Sequence, residues 1–218
     1  MSSAQDKCPV DHSNASWDAL KPLSEAHTRN AGPLSTSRVV SSIPRADDQS
    51  NWVYPSEAQF FAAMHRKNHN PDEKDMKTIV PIHNAVNERA WHEILGWEDG
   101  RGGSSCGGVK LVSFKGKPKE MTWRARFRTL LGYSAPFDRH DWVVDRCGLK
   151  MRYIIDFYSG RSTTGKPGSD LSFFLDVRPA FDNFEGVKMR VERFWSKWLL
   201  FRPSSSSSSS GAHGTRGS

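Results

Sequence analysis

A chain of 218 residues with 36% hydrophobic residues and a net charge of +7 has room for one domain of ordinary size flanked by polar segments. It contains no apolar run of about 18 residues and no apolar signal-peptide core, which argues against a membrane-spanning helix and a secretory leader. The positive charge is spread without five consecutive basic residues, which favours a solvated surface over a nucleic-acid interface.

The three cysteines, Cys8, Cys106 and Cys147, are odd in number and widely spaced. This pattern argues against a disulfide framework, and the lack of a Cys-x-x-Cys pair argues against a zinc ribbon and a thioredoxin-like centre. We therefore expect Cys147 to be a small buried residue rather than a nucleophile.

Both ends of the chain have the composition of disordered segments. Residues 1–50 are rich in Ser, Pro, Asn and Asp and poor in aromatic residues. Residues 203–218 form a serine-rich, low-complexity tail that partly resembles a sequence added for expression. The folded domain is therefore predicted to span residues 51–202.

Helix-start motifs open this domain. Ser56 and Gln59 have the spacing of a capping box, which predicts a helix to about Lys67. Residues 70–73, Asn-Pro-Asp-Glu, predict a second short helix, because proline and acidic residues are favourable in a first helical turn. Pro81 is then expected to interrupt the chain and to lie in the first turn of a third helix, over about residues 80–97.

The third predicted helix carries two adjacent stripes with a spacing near four residues. The first is apolar and is expected to be buried; it consists of Ile82, Val86, Ala90, Ile94 and Trp97. The second consists of His83, Asn87 and Trp91. Because a stripe beside the buried one is where a pocket wall is expected, His83 is predicted to face an open slot.

Runs of β-branched and aromatic residues predict strands at residues 109–114, 142–146, 150–158 and 171–177. The last two are expected to pair antiparallel across a Gly/Ser/Thr loop. A short basic helix over 122–131, ended by Gly132, and a final helix over about 182–201 complete the domain. The predicted fold class is α+β, with helices around a small antiparallel sheet in a single domain.

The final helix has an aromatic stripe flanked by Lys and Arg, which suits either docking on the core or lying on a membrane surface.

A dense polar block, PFDRHDW, occupies Pro136–Trp142. Asp138 and Asp141 flank His140 and are expected to orient its ring, although a structural salt-bridge corner is an equally good interpretation. Arginine forms forked bonds to carboxylates, and five arginines are candidates for holding an anionic group. They are Arg124, Arg126, Arg128, Arg139 and Arg146.

Ile79–Glu98, reading IVPIHNAVNERAWHEILGWE, together with PFDRHDW closely resembles the mitochondrial holocytochrome c synthases, or cytochrome c heme lyases. Further matching runs occur in the same order: WVYPSEAQFFAAM, RARFRTLLGY, VVDRCG, MRYIIDFY and LDVRPAFD. The resemblance covers residues 51–200, which is essentially the whole predicted domain, so it is far more specific than a single motif.

The resemblance implies that heme b, iron protoporphyrin IX, is a substrate and that His83 is its axial iron ligand. Asn87 and Trp91 are expected to line the same site. Glu88, which the resemblance places with His83 at the reaction centre, is expected to order the pocket rather than to act as a base. His140 ranks second to His83 as a ligand.

Further contacts to heme are implied for Arg139 and Arg146, as candidates to hold the two propionates. Cys8-Pro9-Val10 is similar to the heme motif of the family, and Cys8 is expected to make a transient contact at most. The Cys-Pro-Val motif lies within the tail predicted to be disordered.

As a whole, the resemblance implies a lyase that forms thioethers between the heme vinyl groups and the Cys-x-x-Cys-His cysteines of apocytochrome c. It implies a location in the mitochondrial intermembrane space, peripheral on the inner membrane, and no nucleic-acid partner. Two alternatives stay open: a non-catalytic heme carrier or sensor that uses Cys8 and His83, and a basic nucleic-acid-binding protein.

Overall fold

The computed structural model describes residues 34–117, 120–159 and 173–200. Its helices are α1 (Glu57–Arg66), α2 (Met76–Glu98), α3 (Trp123–Leu130) and α4 (Phe184–Leu200). Its strands are β1 (Val40–Pro44), β2 (Asn51–Val53), β3 (Lys110–Gly116), β4 (Asp138–Arg146), β5 (Leu149–Ser159) and β6 (Phe173–Pro179). The predicted α+β class is confirmed. In these segments no helix combines the length and apolarity needed to cross a bilayer.

Two antiparallel sheets organise the strands. β3, β4, β5 and β6 follow one another in the larger sheet, and β1 pairs with β2 in the smaller one. The predicted antiparallel pairing of the last two strands is confirmed, while the loop between them, residues 160–172, lies outside the described residues. The main core lies between α2 and the face of the larger sheet that carries Trp142, Val144, Tyr153 and Ile155.

Helix α1 begins as its capping box predicts, because the Ser56 side chain accepts from the Gln59 amide and the Gln59 side chain accepts from the Ser56 amide. The predicted second helix is only the 3₁₀ turn Glu73–Asp75, which leads directly into α2. Pro81 lies inside α2 rather than in its first turn, so the predicted interruption is wrong. The loss of one intrahelical hydrogen bond at Pro81 is tolerated beside an apolar cluster that packs α1 on the first turns of α2. That cluster contains Phe60, Phe61, Met76 and Val80.

The buried face of α2 differs from the predicted stripe. Its members are Met76, Val80, Ala90, Trp91, Ile94 and Glu98. Ile82 and Val86 are only half-buried. Each four-residue step overshoots a helical turn by about 40°, so a strict four-residue stripe drifts off a straight face. The spacing of His83 and Asn87 places them on the same side of α2 as these buried residues. They do not form the separate stripe beside the buried face that was predicted.

The folded part begins before residue 51, contrary to the predicted boundary. β1 pairs with β2, and Ser41 and Ile43 on β1 are buried. Because only alternate residues of this short strand face inward, its composition stays polar. The rest of the predicted N-terminal tail, residues 1–33 with Cys8, lies outside the described residues, as does the predicted tail 203–218.

Cys106 and Cys147 form a disulfide, contrary to the expectation from cysteine count. Their Cα atoms are 5.4 Å apart, and they are 41 residues apart in sequence. Cys147 is exposed in the tight turn between β4 and β5, where it has a φ of 53° and Gly148 has a φ of 87°. Two positive φ values are what a two-residue hairpin turn requires. The pairing of β3 with β4, which places Lys110 opposite Asp145, brings the two cysteines together; their spacing in sequence does not.

Candidate functional site

A narrow cavity of about 20 Å³ brings together His83, Asn87 and His140. Its apolar walls are Ile43, Trp52, Tyr54, Leu111, Phe114 and Trp142. The space holds about one water molecule. Three polar side chains from two distant segments therefore converge in an aromatic enclosure on the buried side of the sheet.

The His83 ring is held by aromatic edges and amides. The ring centroids of Phe60 and Tyr54 lie 5.1 Å and 6.4 Å from that of His83, both in edge-to-face geometry. Asn84 Oδ1 lies 3.3 Å from Nδ1, and Asn87 Nδ2 donates to the His83 carbonyl oxygen at 2.9 Å. A proton on Nδ1 facing the Asn84 oxygen leaves Nε2 with a lone pair, which is the state that an imidazole needs to bind iron.

Glu88 binds the strand that forms one wall of the cavity. Its carboxylate accepts from Ser41 Oγ at 2.6 Å, from the Ser42 amide at 3.0 Å, from Ser42 Oγ, and from the Tyr54 hydroxyl at 3.0 Å. Burial, the largest single influence, acts to raise the pKa of Glu88, but the hydrogen bonds from Ser41 and Ser42 together lower the pKa below its ordinary value. Glu88 is not among the cavity's lining residues, so its contacts are those of an ordering residue.

His140 lies on β4, in a strand rather than in the corner that its polar neighbours suggest. Its Nδ1 lies 3.6 Å from Asp138 Oδ2, and its ring packs edge-on to Phe157 at 5.1 Å. Asp141 points to the other face of the sheet, where it pairs with Arg139 and Arg152. Of the two flanking acids, only Asp138 is therefore in reach of the His140 ring.

Arg146 is far from His83. Its Nε lies 2.6 Å from Glu98 Oε2 and its Nη1 lies 3.2 Å from Glu185 Oε1, in a site where Arg146 is 8% exposed. Glu98 also accepts from the Tyr153 hydroxyl. At about 1.5 Å per residue, Glu98 lies about 22 Å from His83 along α2. Arg146, a candidate to hold a heme propionate, therefore lies at the other end of α2 from His83, and a buried carboxylate already neutralises it.

Two more predicted contacts are separated from the cavity. Arg139 alternates with His140 along β4, so it faces the opposite side of the sheet and pairs with Asp141 at 3.0 Å. Trp91 is 4% exposed and packs in the main core instead of lining a slot. None of the cavity's described lining residues is an arginine or a lysine.

Sequence reasoning missed the aromatic walls that come from distant segments. Trp52 and Tyr54 precede α1, Phe114 lies on β3, and all three meet at His83 only through the tertiary fold. The one available indication for Tyr54 was its place in the run WVYPSEAQFFAAM.

Known proteins are similar to this chain over most of its length. The sequence model of the cytochrome c/c1 heme lyase family matches residues 2–109 and 104–194. A putative holocytochrome-c1 synthase of Chaetomium thermophilum is 54% identical over 73% of this chain and 63% of its own length. A putative holocytochrome-c1 synthase of Schizosaccharomyces pombe is 50% identical over 87% of this chain and 91% of its own length. The Homo sapiens holocytochrome c-type synthase is 47% identical over 76% of this chain and 62% of its own length.

No solved structure matches the chain significantly. The chain spans less than two thirds of the Chaetomium and human relatives and nearly all of the Schizosaccharomyces one. The two segments that the family model matches contain His83, Asn87 and His140. By sequence, therefore, this chain belongs to the cytochrome c/c1 heme lyase family.

Proposed function

We propose that the protein is a holocytochrome c-type synthase, a lyase that binds heme b as a substrate and attaches it covalently to a c-type apocytochrome. The observation that carries this proposal is the place of His83, at an aromatic-walled cavity in a chain of the heme lyase family. Relatives named holocytochrome-c1 synthase and holocytochrome c-type synthase support the activity.

His83 is the proposed axial ligand of the heme iron. Its Nε2 supplies the lone pair, and the Asn84 oxygen holds a proton on Nδ1. Aromatic walls suit a flat apolar macrocycle. Asn87, whose amide lies 3.2 Å from Nε2, fixes the ring's orientation before the iron binds.

Heme entry requires the walls to separate, because about 20 Å³ holds a water molecule and not a porphyrin. One wall, with Ile43, Trp52 and Tyr54, belongs to the β1–β2 hairpin and the residue after it. The other wall belongs to β3 and β4. Glu88 holds the first wall to α2 through Ser41, Ser42 and Tyr54, so we assign to Glu88 the role of setting how far the cavity opens.

The bond-forming step adds a thiol across a vinyl group. The apocytochrome supplies a second axial histidine from its Cys-x-x-Cys-His motif, which aligns its two thiols with the two vinyl groups. At each vinyl group an S–H bond breaks, an S–C bond forms, the double bond becomes single, and the proton goes to the other vinyl carbon. No oxidant is consumed. Positioning alone can supply about 7 to 11 kcal/mol in favourable cases, and ferrous iron with reduced thiols avoids side oxidation.

We place the protein in the mitochondrial intermembrane space, peripheral on the inner membrane, with apocytochrome c as its protein substrate. Cytochrome c1 is a second candidate substrate, because two relatives that share at least half of their aligned residues with this chain are named holocytochrome-c1 synthases. The chemistry is the same for both, so the two candidates differ only in which apoprotein docks.

The ligand assignment is tested by heme that copurifies with the protein. His83→Ala is expected to abolish the heme absorption band, because the iron loses its axial bond. His140→Ala, the matched control in the same cavity, is expected to leave the band detectable. The reverse result would overturn the assignment.

The reaction is tested by coexpression with apocytochrome c or apocytochrome c1 in a host that lacks its own maturation system. Heme that stays bound to the apocytochrome after denaturation supports the synthase, and the preferred apoprotein identifies the substrate. Copurified heme without a thioether would support the carrier alternative. Copurified nucleic acid without heme would contradict both.

A further inference from the structure

A second and larger cavity, of about 430 Å³, lies where the end of α2, α3, β6 and α4 meet. We call it the arginine groove. Four arginines line it, Arg124, Arg178, Arg190 and Arg193, against two acidic residues, Glu93 and Asp176. Trp97 also lines it, and at about 1.5 Å per residue Trp97 lies about 21 Å from His83 along α2. The arginine groove is therefore separate from the histidine cavity.

The acidic residues of the groove already have partners. Asp176 lies 3.1 Å from Arg178, and Glu93 accepts from Arg89 at 3.0 Å. Arg178 also pairs with the buried Asp156. These pairs neutralise the charge in one part of the groove. The two arginines of α4, Arg190 and Arg193, are not part of these pairs.

Arg190 and Arg193 have no carboxylate partner within the described residues. Arg190 stacks on the Phe181 ring at 3.8 Å and donates to the Pro179 carbonyl oxygen at 2.7 Å. Arg193 lies over the Trp97 ring at 4.0 Å, and its buried Nη1 finds no acceptor among those residues. Burial and the repulsion of neighbouring arginines lower the pKa of Arg190 to about 10. Neither guanidinium group forms a salt bridge among the described residues, so both are available to an anion in the groove.

Trp123 of α3 and Phe194 of α4 line the groove, and further exposed apolar side chains follow on both helices; we call this set the apolar rim. On α3, Trp123, Phe127 and Leu130 are 67%, 56% and 83% exposed, and on α4, Phe194, Trp195 and Trp198 are 65%, 52% and 55% exposed. One side of α4 does pack on the protein, through the fully buried Met189. Core docking therefore does not account for the aromatic stripe of α4. Helices with aromatic residues beside basic ones are typical of the membrane interface.

We propose that the arginine groove binds the phosphate headgroup of an anionic phospholipid while α3 and α4 place their aromatic residues in the surrounding interface. Guanidinium groups form forked, charge-assisted bonds with phosphate oxygens. The adjoining apolar rim distinguishes a lipid from a soluble anion, which would leave the rim in water. This inference rests on the peripheral membrane association proposed above and adds the site and the lipid class.

The role of the groove's arginines is tested by cosedimentation of the protein with vesicles. One set of vesicles contains phosphatidylcholine alone, and the other contains phosphatidylcholine with phosphatidylglycerol. Wild-type protein is expected to prefer the anionic vesicles. The double variant Arg190→Gln, Arg193→Gln is expected to bind them roughly 30-fold more weakly, from about 1 kcal/mol per basic residue at the surface. The matched control Arg66→Gln, Lys77→Gln removes the same charge from exposed positions on α1 and α2 and is expected to bind like wild type. Equal losses in the two variants would overturn the groove as the site.

The apolar rim is tested separately, with exposed residues of α4. Phe194→Ser with Trp195→Ser is expected to weaken vesicle binding and to reduce the blue shift of tryptophan fluorescence. Leu95→Ser with Leu149→Ser, at exposed apolar positions outside the rim, is expected to change neither. Undiminished binding by the rim variant would contradict interfacial insertion.

Failure of this inference is distinguishable from failure of the heme proposal. His83→Ala is expected to lose heme and to keep vesicle binding. Vesicle binding that is equal for both lipid compositions, or binding of polyglutamate in place of vesicles, would overturn the lipid headgroup while leaving the heme assignment intact. Loss of copurified heme with unchanged vesicle binding in the Arg190, Arg193 variant would reassign the groove to heme.

Discussion

The two ends of α2 meet the same strand with contrasting chemistry. At its N-terminal side His83 shares a narrow cavity with His140 of β4, and at its C-terminal end Glu98 pairs with Arg146 of β4. The arginine end is closed by a buried ion pair and carries a disulfide next to Arg146. The histidine end is held by hydrogen bonds that Glu88 accepts from the β1–β2 hairpin. The C-terminal end is fastened by a buried ion pair, and the histidine end is the one that we propose opens for heme.

Removing the ion pair between Arg146 and Glu98 has the largest expected effect on stability. Arg146→Gln leaves Glu98 as an uncompensated buried carboxylate, so we expect it to lower the free energy of unfolding by about 3 to 5 kcal/mol. Urea denaturation measures this. The control Arg89→Gln removes an exposed partner of Glu93 and is expected to cost less than about 1 kcal/mol. Similar losses in both variants would contradict the contrast between the ends.

Opening the disulfide is expected to have the next largest effect. It closes a segment of 41 residues, and a link of that length contributes roughly 2 to 4 kcal/mol, chiefly by restricting the unfolded chain. Urea denaturation with and without a reductant measures the difference. The double variant Cys106→Ser, Cys147→Ser is expected to be insensitive to reductant. A wild-type protein that is equally insensitive would show that the bond is absent.

At the histidine end, Glu88 is expected to make the β1 contact dependent on pH. Because the fold lowers the pKa of Glu88, the charged form stabilises the folded state above pH 4.5 and this contribution is lost as the pH falls through the folded pKa. The protection of the Ser42 amide, which is its exchange rate relative to the intrinsic rate at the same pH, should therefore weaken as the pH falls through the folded pKa of Glu88. Glu88→Gln is expected to cost about 1 to 3 kcal/mol at neutral pH and to flatten the pH dependence. An unchanged exchange profile in that variant would refute the role.

The smallest expected effect comes from one hydroxyl. Tyr54→Phe removes the donor to Glu88 at 3.0 Å and keeps the aromatic wall, so we expect a loss of about 0.5 to 1.5 kcal/mol. Thermal denaturation measures it, and copurified heme should persist. A loss as large as that of Arg146→Gln would mean that the histidine end is as tightly fastened as the other.

The elements that depend on neighbours in sequence were predictable. The capping box of Ser56 and Gln59, the helix start at Thr122 and the alternation along β4 and β5 all follow from local backbone chemistry. The family was also predictable, because several sequence motifs resemble it in the same order, and the family model matches most of the chain. By itself, the sequence thus determined the fold class and the family, and it singled out His83 as the proposed ligand.

Tertiary structure alone decided which face of α2 is buried, which cysteines form the disulfide and which partners the arginines have. The buried face of α2 depends on where the sheet touches it, which a count of four-residue steps along the helix does not reveal. Strand pairing brings Cys147 to Cys106, and strand alternation sends Arg139 to the opposite face from His140. Arg146 is a propionate candidate by residue type, yet it is neutralised by Glu98. Local patterns report backbone conformation, whereas partners distant in sequence are selected only when the chain closes on itself.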